Sequence, residues 1–468
     1  MGRVTYRISP GRLAGTARIP GSKSHTIRGL LIAALAEGES RLFSPLDSLD
    51  TAACVAVCRS LGAEVDEIRE DGALSEIRVR RTGGALGVPD DVVDVKNSGT
   101  TLYLGMGVAA LGSGLTVFTG DHQIRRRSAA PLLEALAGLG ATAVSTRHNG
   151  CAPIVVGGGL RCGSVSLESP TSQYLSSLLL AAPLATAAGG RGGTAAAVTD
   201  IEVLLLNERP YVDMTLWWLD SQGIRYERDG YERFRVPGGQ TYRPFEARIP
   251  ADFSSATFLA CAAAITGSTL TLSGLDIDDP QGDKAVLDIL SEMGCSVRAD
   301  AGGITVSGPP DAFDRQRAHA QARLSGGSFD LNAIPDALPA LAVAACFARE
   351  PVELTNVPQA REKETDRIAV MASELATMGA RIEERPDGLL IHPAGTAAHS
   401  ATAVEPAVPP LRGAAVDGHA DHRVVMALAV AGLGAAGDTL IDGAEASAVT
   451  FPGFFQLLDE LRIPEARA

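Results

Sequence analysis

Ala17-Arg18-Ile19-Pro20 recurs as Ala247-Arg248-Ile249-Pro250, about half a chain-length later. Each copy leads into a polar turn and an Ala/Leu-rich run, GSKSHTIRGLLIAALAEG after Pro20 and ADFSSATFLACAAAITG after Pro250. A β-rich segment follows each run, SRLFSPL in one case and STLTLSGL in the other. The same succession starts again near Asn97, Ser169, Asp330 and Asp417, so the pattern occurs six times. A second helix also recurs, ending in the turns SLGAEV, GLGATA, SQGIRY, EMGCSV and TMGARI, and a sixth copy, FFQLLDELRI, closes the chain. The turn glycines are Gly62, Gly140, Gly223, Gly294 and Gly379, spaced roughly 70 to 85 residues apart. Self-similarity at a fixed period marks a repeated supersecondary unit. Each unit reads as strand, helix, strand, helix, strand, which is enough to form a small layered α/β module. The turn glycines fit left-handed C-terminal caps.

Length agrees with this reading. A chain of 468 residues exceeds one compact core, so two or more domains are expected. Only 4% of residues are aromatic, while glycine is abundant at 51 residues. That favours closely packed helices and argues against a stacking surface for nucleic acid. The formal net charge of −14 excludes bulk attraction of polyanions, so positive charge for an anionic ligand must be local.

The start of each unit's first helix supplies such a place. Ser22, Asn97, Ser172, Ser254, Asn332 and Asp421 stand there as candidate N-caps. Backbone N–H groups and the partial positive charge of a helix start both favour phosphate and carboxylate. The basic residues gather at equivalent points. Gly21-Ser22-Lys23-Ser24-His25-Thr26-Ile27-Arg28 opens one helix but lacks the GxxxxGK[ST] spacing of a P-loop. Arg125-Arg126-Arg127 cannot all face one way, so one is expected to turn inward. Arg361 to Arg367 and Asp421-His422-Arg423 pack acids and bases into a few residues.

The seven cysteines are odd in number and scattered, with no CxxC, which points to a reducing compartment and buried thiols. Cys54 and Cys58, one helical turn apart, read as small core residues. The N-terminus has no apolar signal region, and the longest apolar stretch, from Leu175 to Ala188, is too short to span a bilayer. A cytoplasmic protein is expected.

Seven motifs, in order on the six-fold repeat, resemble the enolpyruvyl transferase family. They are GSKS with Arg28; Asn97 to Thr100; Thr171 to Gln173; Arg209 to Tyr211; Asp330 to Ala337; Lys363 to Arg367; and Asp421 to Arg423. The resemblance runs from about Ile19 to the C-terminus and is best to the shikimate-pathway members. It implies a two-domain, inside-out α/β barrel-like fold of six βαβαββ repeats, three per domain. Residues 20–243 would form one domain, and residues 1–19 with 244–468 the other. No cofactor or metal is implied.

The implied reaction moves the enolpyruvyl group of phosphoenolpyruvate onto a hydroxyl of a phosphorylated acceptor. By resemblance Lys23, Asp330 and Glu364 are catalytic, Asp330 as base at the acceptor hydroxyl and Glu364 with Lys23 at the proton on C3. Lys23, Asn97, Gly99, Arg127, Gln173, Lys363, Arg367 and Arg423 would bind phosphoenolpyruvate. Ser24, Arg28, Thr171, Ser172, Gln173, Asp330, Gln359 and Lys363 would bind the acceptor. Partners would be small molecules only, with no nucleic acid and no membrane.

Several positions depart from the shikimate-pathway pattern. Glu208 stands where the family has a small hydroxyl residue that helps bind the acceptor's phosphate. Tyr103 stands for an arginine and Val449 for a lysine. Ser128 replaces a proline, and Gln359-Ala360 replaces an Asn-Trp type pair. These changes lead to the expectation of an acceptor other than shikimate 3-phosphate, such as the 3′-hydroxyl of UMP, as in nucleoside antibiotic biosynthesis. Shikimate 3-phosphate is the alternative within the class. An RNA 3′-phosphate cyclase relative and a non-catalytic repeat protein are alternatives outside it.

Overall fold

The computed structural model describes residues 3–187, 197–314, 316, 319–394 and 409–463. The chain divides into two compact units. The first is Gly21–Pro250 with Asp279–Gln281, and the second is Met1–Pro20, Ala251–Asp278 and Gly282–Ala468. The second division falls after Pro250, seven residues beyond the expected 243/244 boundary. The cause is the strand Glu246–Arg248, which pairs in parallel with Gly38–Phe43 in the first unit's sheet. Residues 279–281 join the first unit because Asp279 meets buried His25. The His25 ring lies 3.2 Å from the Asp279 carboxylate and accepts the Trp218 indole N–H at 3.1 Å.

The helices of the first unit are α1 (Lys23–Leu35), α2 (Leu49–Ser60), α3 (Gly99–Ala110), α4 (Ala130–Gly138), α5 (Ser172–Ala181) and α6 (Arg209–Ser221). Those of the second are α7 (Phe253–Thr266), α8 (Ala285–Glu292), α9 (Leu338–Ala345), α10 (Arg367–Thr377), α11 (His422–Gly434) and α12 (Phe454–Leu461). They fall into two kinds. The even-numbered helix α12 buries a stripe, Phe454, Phe455, Leu458 and Leu461, and turns its other side to water. The odd-numbered helices are buried along almost their whole length. Every residue of α7, α9 and α11 is buried.

Sheets surround the buried helices, and five of them share one topology. In the sheet of Val93–Asp94, the next strand Leu115–Thr119 is parallel, and Ile154–Gly157 and Thr142–Ser145 follow antiparallel. The first five repeats therefore read strand, helix, strand, helix, strand, strand, one strand more than the sequence pattern alone gives and as the family resemblance implies. The repeated Ala-Arg-Ile-Pro segments exchange places. Ala14–Arg18, which precedes α1, pairs with Thr269–Ser273, which follows α7. Glu246–Arg248, which precedes α7, pairs with Gly38–Phe43, which follows α1. In the sixth sheet Thr5–Ile8 takes the antiparallel place beside Thr439–Asp442.

Local signals behave as their chemistry demands. Gly62, Gly140, Gly223, Gly294 and Gly379 all have φ between 67° and 100°, the left-handed turn that ends each second helix. The N-caps are partly displaced from expectation. Ser22 and Asp421 cap α1 and α11, but Ser98 rather than Asn97 caps α3, and Asp252 rather than Ser254 caps α7. Asn332 caps no helix; a short turn, Pro335–Ala337, intervenes before α9. All seven cysteines are buried and unpaired. Among the described residues no helix is long and apolar enough to cross a membrane.

Candidate active site

In the first unit, the residues of α1 and α5 that are not buried are Lys23, Ser24 and Gln173, all in the first turn. The interior helices thus present polar groups only at their starts. The Lys23 ammonium lies 3.4 Å from the carboxylate of Asp50, which is 4% exposed and opens α2. The sequence reading missed Asp50; its only signal is the Ser48 cap two residues before it.

Arg28 does not face outward as expected. It is 1% exposed, and its guanidinium donates to Thr215 Oγ1 at 2.8 Å, the Ser24 carbonyl at 3.0 Å, Ser176 Oγ at 3.4 Å and the Tyr211 carbonyl at 2.9 Å. Burial without a carboxylate lowers its pKa to about 10. Arg28 ties α1 to α5 and α6.

Of the three arginines, Arg125 and Arg126 are exposed and Arg127 turns inward. Its Nη1 lies against Gly99, where an added Cβ would approach it to 2.5 Å. Glycine at the start of α3 therefore makes the space for this guanidinium. Asn97 does not cap the helix. Its side-chain amide donates to Asp121 at 2.6 Å and to Gln123 at 2.5 Å. Tyr103 and Tyr174 meet edge to face at 5.1 Å and both donate to the Ser128 carbonyl, at 3.2 and 2.5 Å. Tyr103, in place of the family's arginine, thus fixes the peptide that follows Arg127.

The start of α5 is organised by Glu208. One carboxylate oxygen accepts from Ser172 N–H at 3.1 Å, Ser172 Oγ at 2.9 Å and Thr171 Oγ1 at 3.0 Å. Glu208 is 2% exposed and has φ of 60°. Thr171 Oγ1 also accepts from Gln173 Nε2 at 2.9 Å, and Gln173 Oε1 is buried with no partner among the described residues.

In the second unit, Asp330 ends the strand Gly327–Asp330 and is exposed. Its two oxygens accept from the Asn332 N–H and from Asn356 Nδ2, each at 2.8 Å. Gln359 donates to the Asn332 carbonyl at 3.0 Å, which joins the two expected acceptor residues through one loop.

Arg367 is 1% exposed and enclosed by three carboxylates. It donates to Asp421 at 2.9 and 3.2 Å, to Asp336 at 2.8 Å and to Glu364. Burial favours loss of its proton, but Asp421, Glu364 and Asp336 outweigh burial and raise its pKa. These side chains of its own unit hold the guanidinium in place. Arg423 pairs with the other oxygen of Asp336 at 2.7 Å. Thr365 donates to Asp421 at 3.1 Å. Glu364, Arg367 and Arg423 are therefore brought together around Asp336 and Asp421, acids that the sequence reading gave no site role. Val449 ends the short turn Ala444–Val449 and places no charge where the family has lysine.

The model of EPSP synthase (3-phosphoshikimate 1-carboxyvinyltransferase) matches residues 8–458. The chain belongs to the EPSP synthase family. Relatives in this family named 3-phosphoshikimate 1-carboxyvinyltransferase include one from Acetivibrio thermocellus, 49% identical over 97% of both chains. One from Ruminiclostridium cellulolyticum is 48% identical over 96% of both. Among solved structures, EPSP synthase from Acinetobacter baumannii superposes with a TM-score of 0.75 at 26% identity, covering 98% of both chains. The enolpyruvyl transferase NikO from Streptomyces tendae shares the fold, with a TM-score of 0.71 at 18% identity, over 98% of this chain and 97% of that one. Membership of the EPSP synthase family makes this protein an enzyme, an enolpyruvyl (carboxyvinyl) transferase. The two-domain α/β fold expected from the sequence agrees with these neighbours.

Proposed function

We propose that the acceptor is shikimate 3-phosphate, whose hydroxyl takes the enolpyruvyl group of phosphoenolpyruvate with release of phosphate. The observation that carries this reading is near-full-length identity of 49% and 48% to relatives named for that reaction. The nucleotide acceptor expected from the altered pocket is the less supported reading. It rested on Glu208, Tyr103, Val449, Ser128 and Gln359-Ala360 together, and of these Glu208 is held by three donors of its own unit and Tyr103 donates to the Ser128 carbonyl.

The chemistry divides among the residues as follows. Asp330 takes the proton of the acceptor hydroxyl as its oxygen attacks C2. Glu364 and Lys23 serve the proton that adds to C3. The resulting tetrahedral intermediate collapses when C3 loses a proton and the C2–O bond to phosphate breaks. Lys23, Arg127, Lys363 and Arg423 hold the carboxylate and phosphate of phosphoenolpyruvate, with Asn97 and Gly99 shaping the Arg127 side; guanidinium suits both groups. Ser24, Thr171, Ser172 and Gln173 serve the acceptor, with Gln359 beside Asp330. Asp50 and Arg367 act through the groups they position.

Phosphate release from phosphoenolpyruvate, measured with shikimate 3-phosphate and with UMP in separate reactions, tests the proposal. Release dependent on shikimate 3-phosphate supports it, and release dependent on UMP alone restores the nucleotide reading.

A further inference from the structure

Glu208 occupies a place that suits an anion. Ser172 N–H, Ser172 Oγ and Thr171 Oγ1 converge on one oxygen at 2.9 to 3.1 Å. The N–H belongs to the first turn of the ten-residue helix α5, whose dipole also favours negative charge there. Thr171 and Ser172 are among the groups assigned above to the phosphorylated acceptor, and position 208 is where the family pattern has a hydroxyl residue that helps bind its phosphate. Two anions cannot share one set of three donors.

We infer that Glu208 is a tethered anion that fills the acceptor's phosphate position and must leave it when the acceptor binds, so that it sets acceptor affinity and selectivity. The inference rests on the assignment of Thr171 and Ser172 to a phosphorylated acceptor. The free enzyme keeps its buried donors satisfied through Glu208 and does not leave the N–H unpaired. A weak or uncharged competitor cannot displace a carboxylate held by three hydrogen bonds. A phosphate dianion, with more charge and more oxygens, can. The carboxylate thus lowers affinity for the phosphorylated acceptor and keeps weaker anions out of this position, a selectivity achieved by competition.

The test compares wild type with Glu208→Ser and Glu208→Gln. Serine removes the tethered charge, and glutamine keeps the side chain's length and an acceptor oxygen, which guards against a folding defect. The expected result is a fall of about tenfold or more in KM for shikimate 3-phosphate in E208S, the equivalent of one charge-assisted hydrogen bond, with KM for phosphoenolpyruvate unchanged. E208Q falls between the two. A helix-capping role alone predicts lower thermal stability and an unchanged or higher acceptor KM, and that result overturns the inference. If wild type does not use shikimate 3-phosphate, the acceptor reading has failed, and calorimetric titration with inorganic phosphate decides on Glu208. A phosphate site gained in E208S and lost again in the E208S/S172A double variant upholds the tethered anion. Equal phosphate binding by wild type and E208S overturns it.

Discussion

Arg367 and Asp421 form a two-pronged buried pair, Nε to Oδ2 at 2.9 Å and Nη2 to Oδ1 at 3.2 Å. Asp421 is fully buried, and the pair lies 54 residues apart in the chain. It fastens the KETDR segment to the start of α11. Removing Asp421 takes from buried Arg367 the carboxylate that meets it with two bonds and leaves it Asp336 and Glu364. Asp421→Ala should therefore lose about 3–5 kcal/mol of stability, as buried pairs broken on one side do. Denaturant midpoints of the purified variant measure this, and a loss under about 1 kcal/mol contradicts it.

The same pair gives a pH dependence. Burial, the largest single influence, raises the Asp421 pKa, but the charge and hydrogen bonds of Arg367, with His422 beside it, together hold the carboxyl below its ordinary value. A carboxyl with a depressed folded-state pKa binds fewer protons folded than unfolded. Its stabilisation is thus present above the unfolded value, about 4, and is lost as pH falls through the folded value. The melting-temperature gap between wild type and Asp421→Asn should be widest near neutrality and close below pH 4. A gap that widens on acidification contradicts the sign.

Lys23 and Asp50 should separate chemistry from stability. Lys23→Ala removes the ammonium assigned to phosphoenolpyruvate and to C3, and a loss of about 10²–10⁴ in kcat is expected. It also leaves Asp50, 4% exposed, without that partner, so the melting temperature should fall too. Asp50→Asn should lower kcat less than Lys23→Ala. Steady-state kinetics beside thermal scans tests the order.

Asp330 is exposed and its hydrogen bonds are local. Asp330→Ala should lower kcat by about 10²–10⁴ and shift stability by less than about 1 kcal/mol. Full activity in this variant removes the assignment of Asp330 as the base.

Gly99→Ala should act through Arg127. The new methyl would stand 2.5 Å from Arg127 Nη1 and must displace it. KM for phosphoenolpyruvate should rise about tenfold or more, while KM for the acceptor changes little. Equal rises in both place the damage elsewhere.

The repeat was readable because its signals are local. A glycine that ends a helix with φ near 90° is marked by its own neighbours, and an Ala/Leu run with no polar stripe must be interior. The exchange of Ala14–Arg18 and Glu246–Arg248 between sheets is legible only as a repeated tetrapeptide. The site was half legible. Basic residues at helix starts announce an anion site, but sequence does not say which acids fold against them. Asp50 lies against Lys23, Asp336 and Asp421 lie against Arg367 and Arg423, and Arg28 is turned into hydrogen bonds with Thr215 and Ser176. Glu208 was noticed as an intruder, yet its three donors come from a turn 36 residues away.

The central claim is the acceptor, and a direct competition decides it. Phosphoenolpyruvate is supplied with equimolar shikimate 3-phosphate and UMP, and the products are weighed by mass spectrometry. The account predicts that only shikimate 3-phosphate gains the enolpyruvyl group. Enolpyruvyl-UMP as the product, with shikimate 3-phosphate left unchanged, would contradict it.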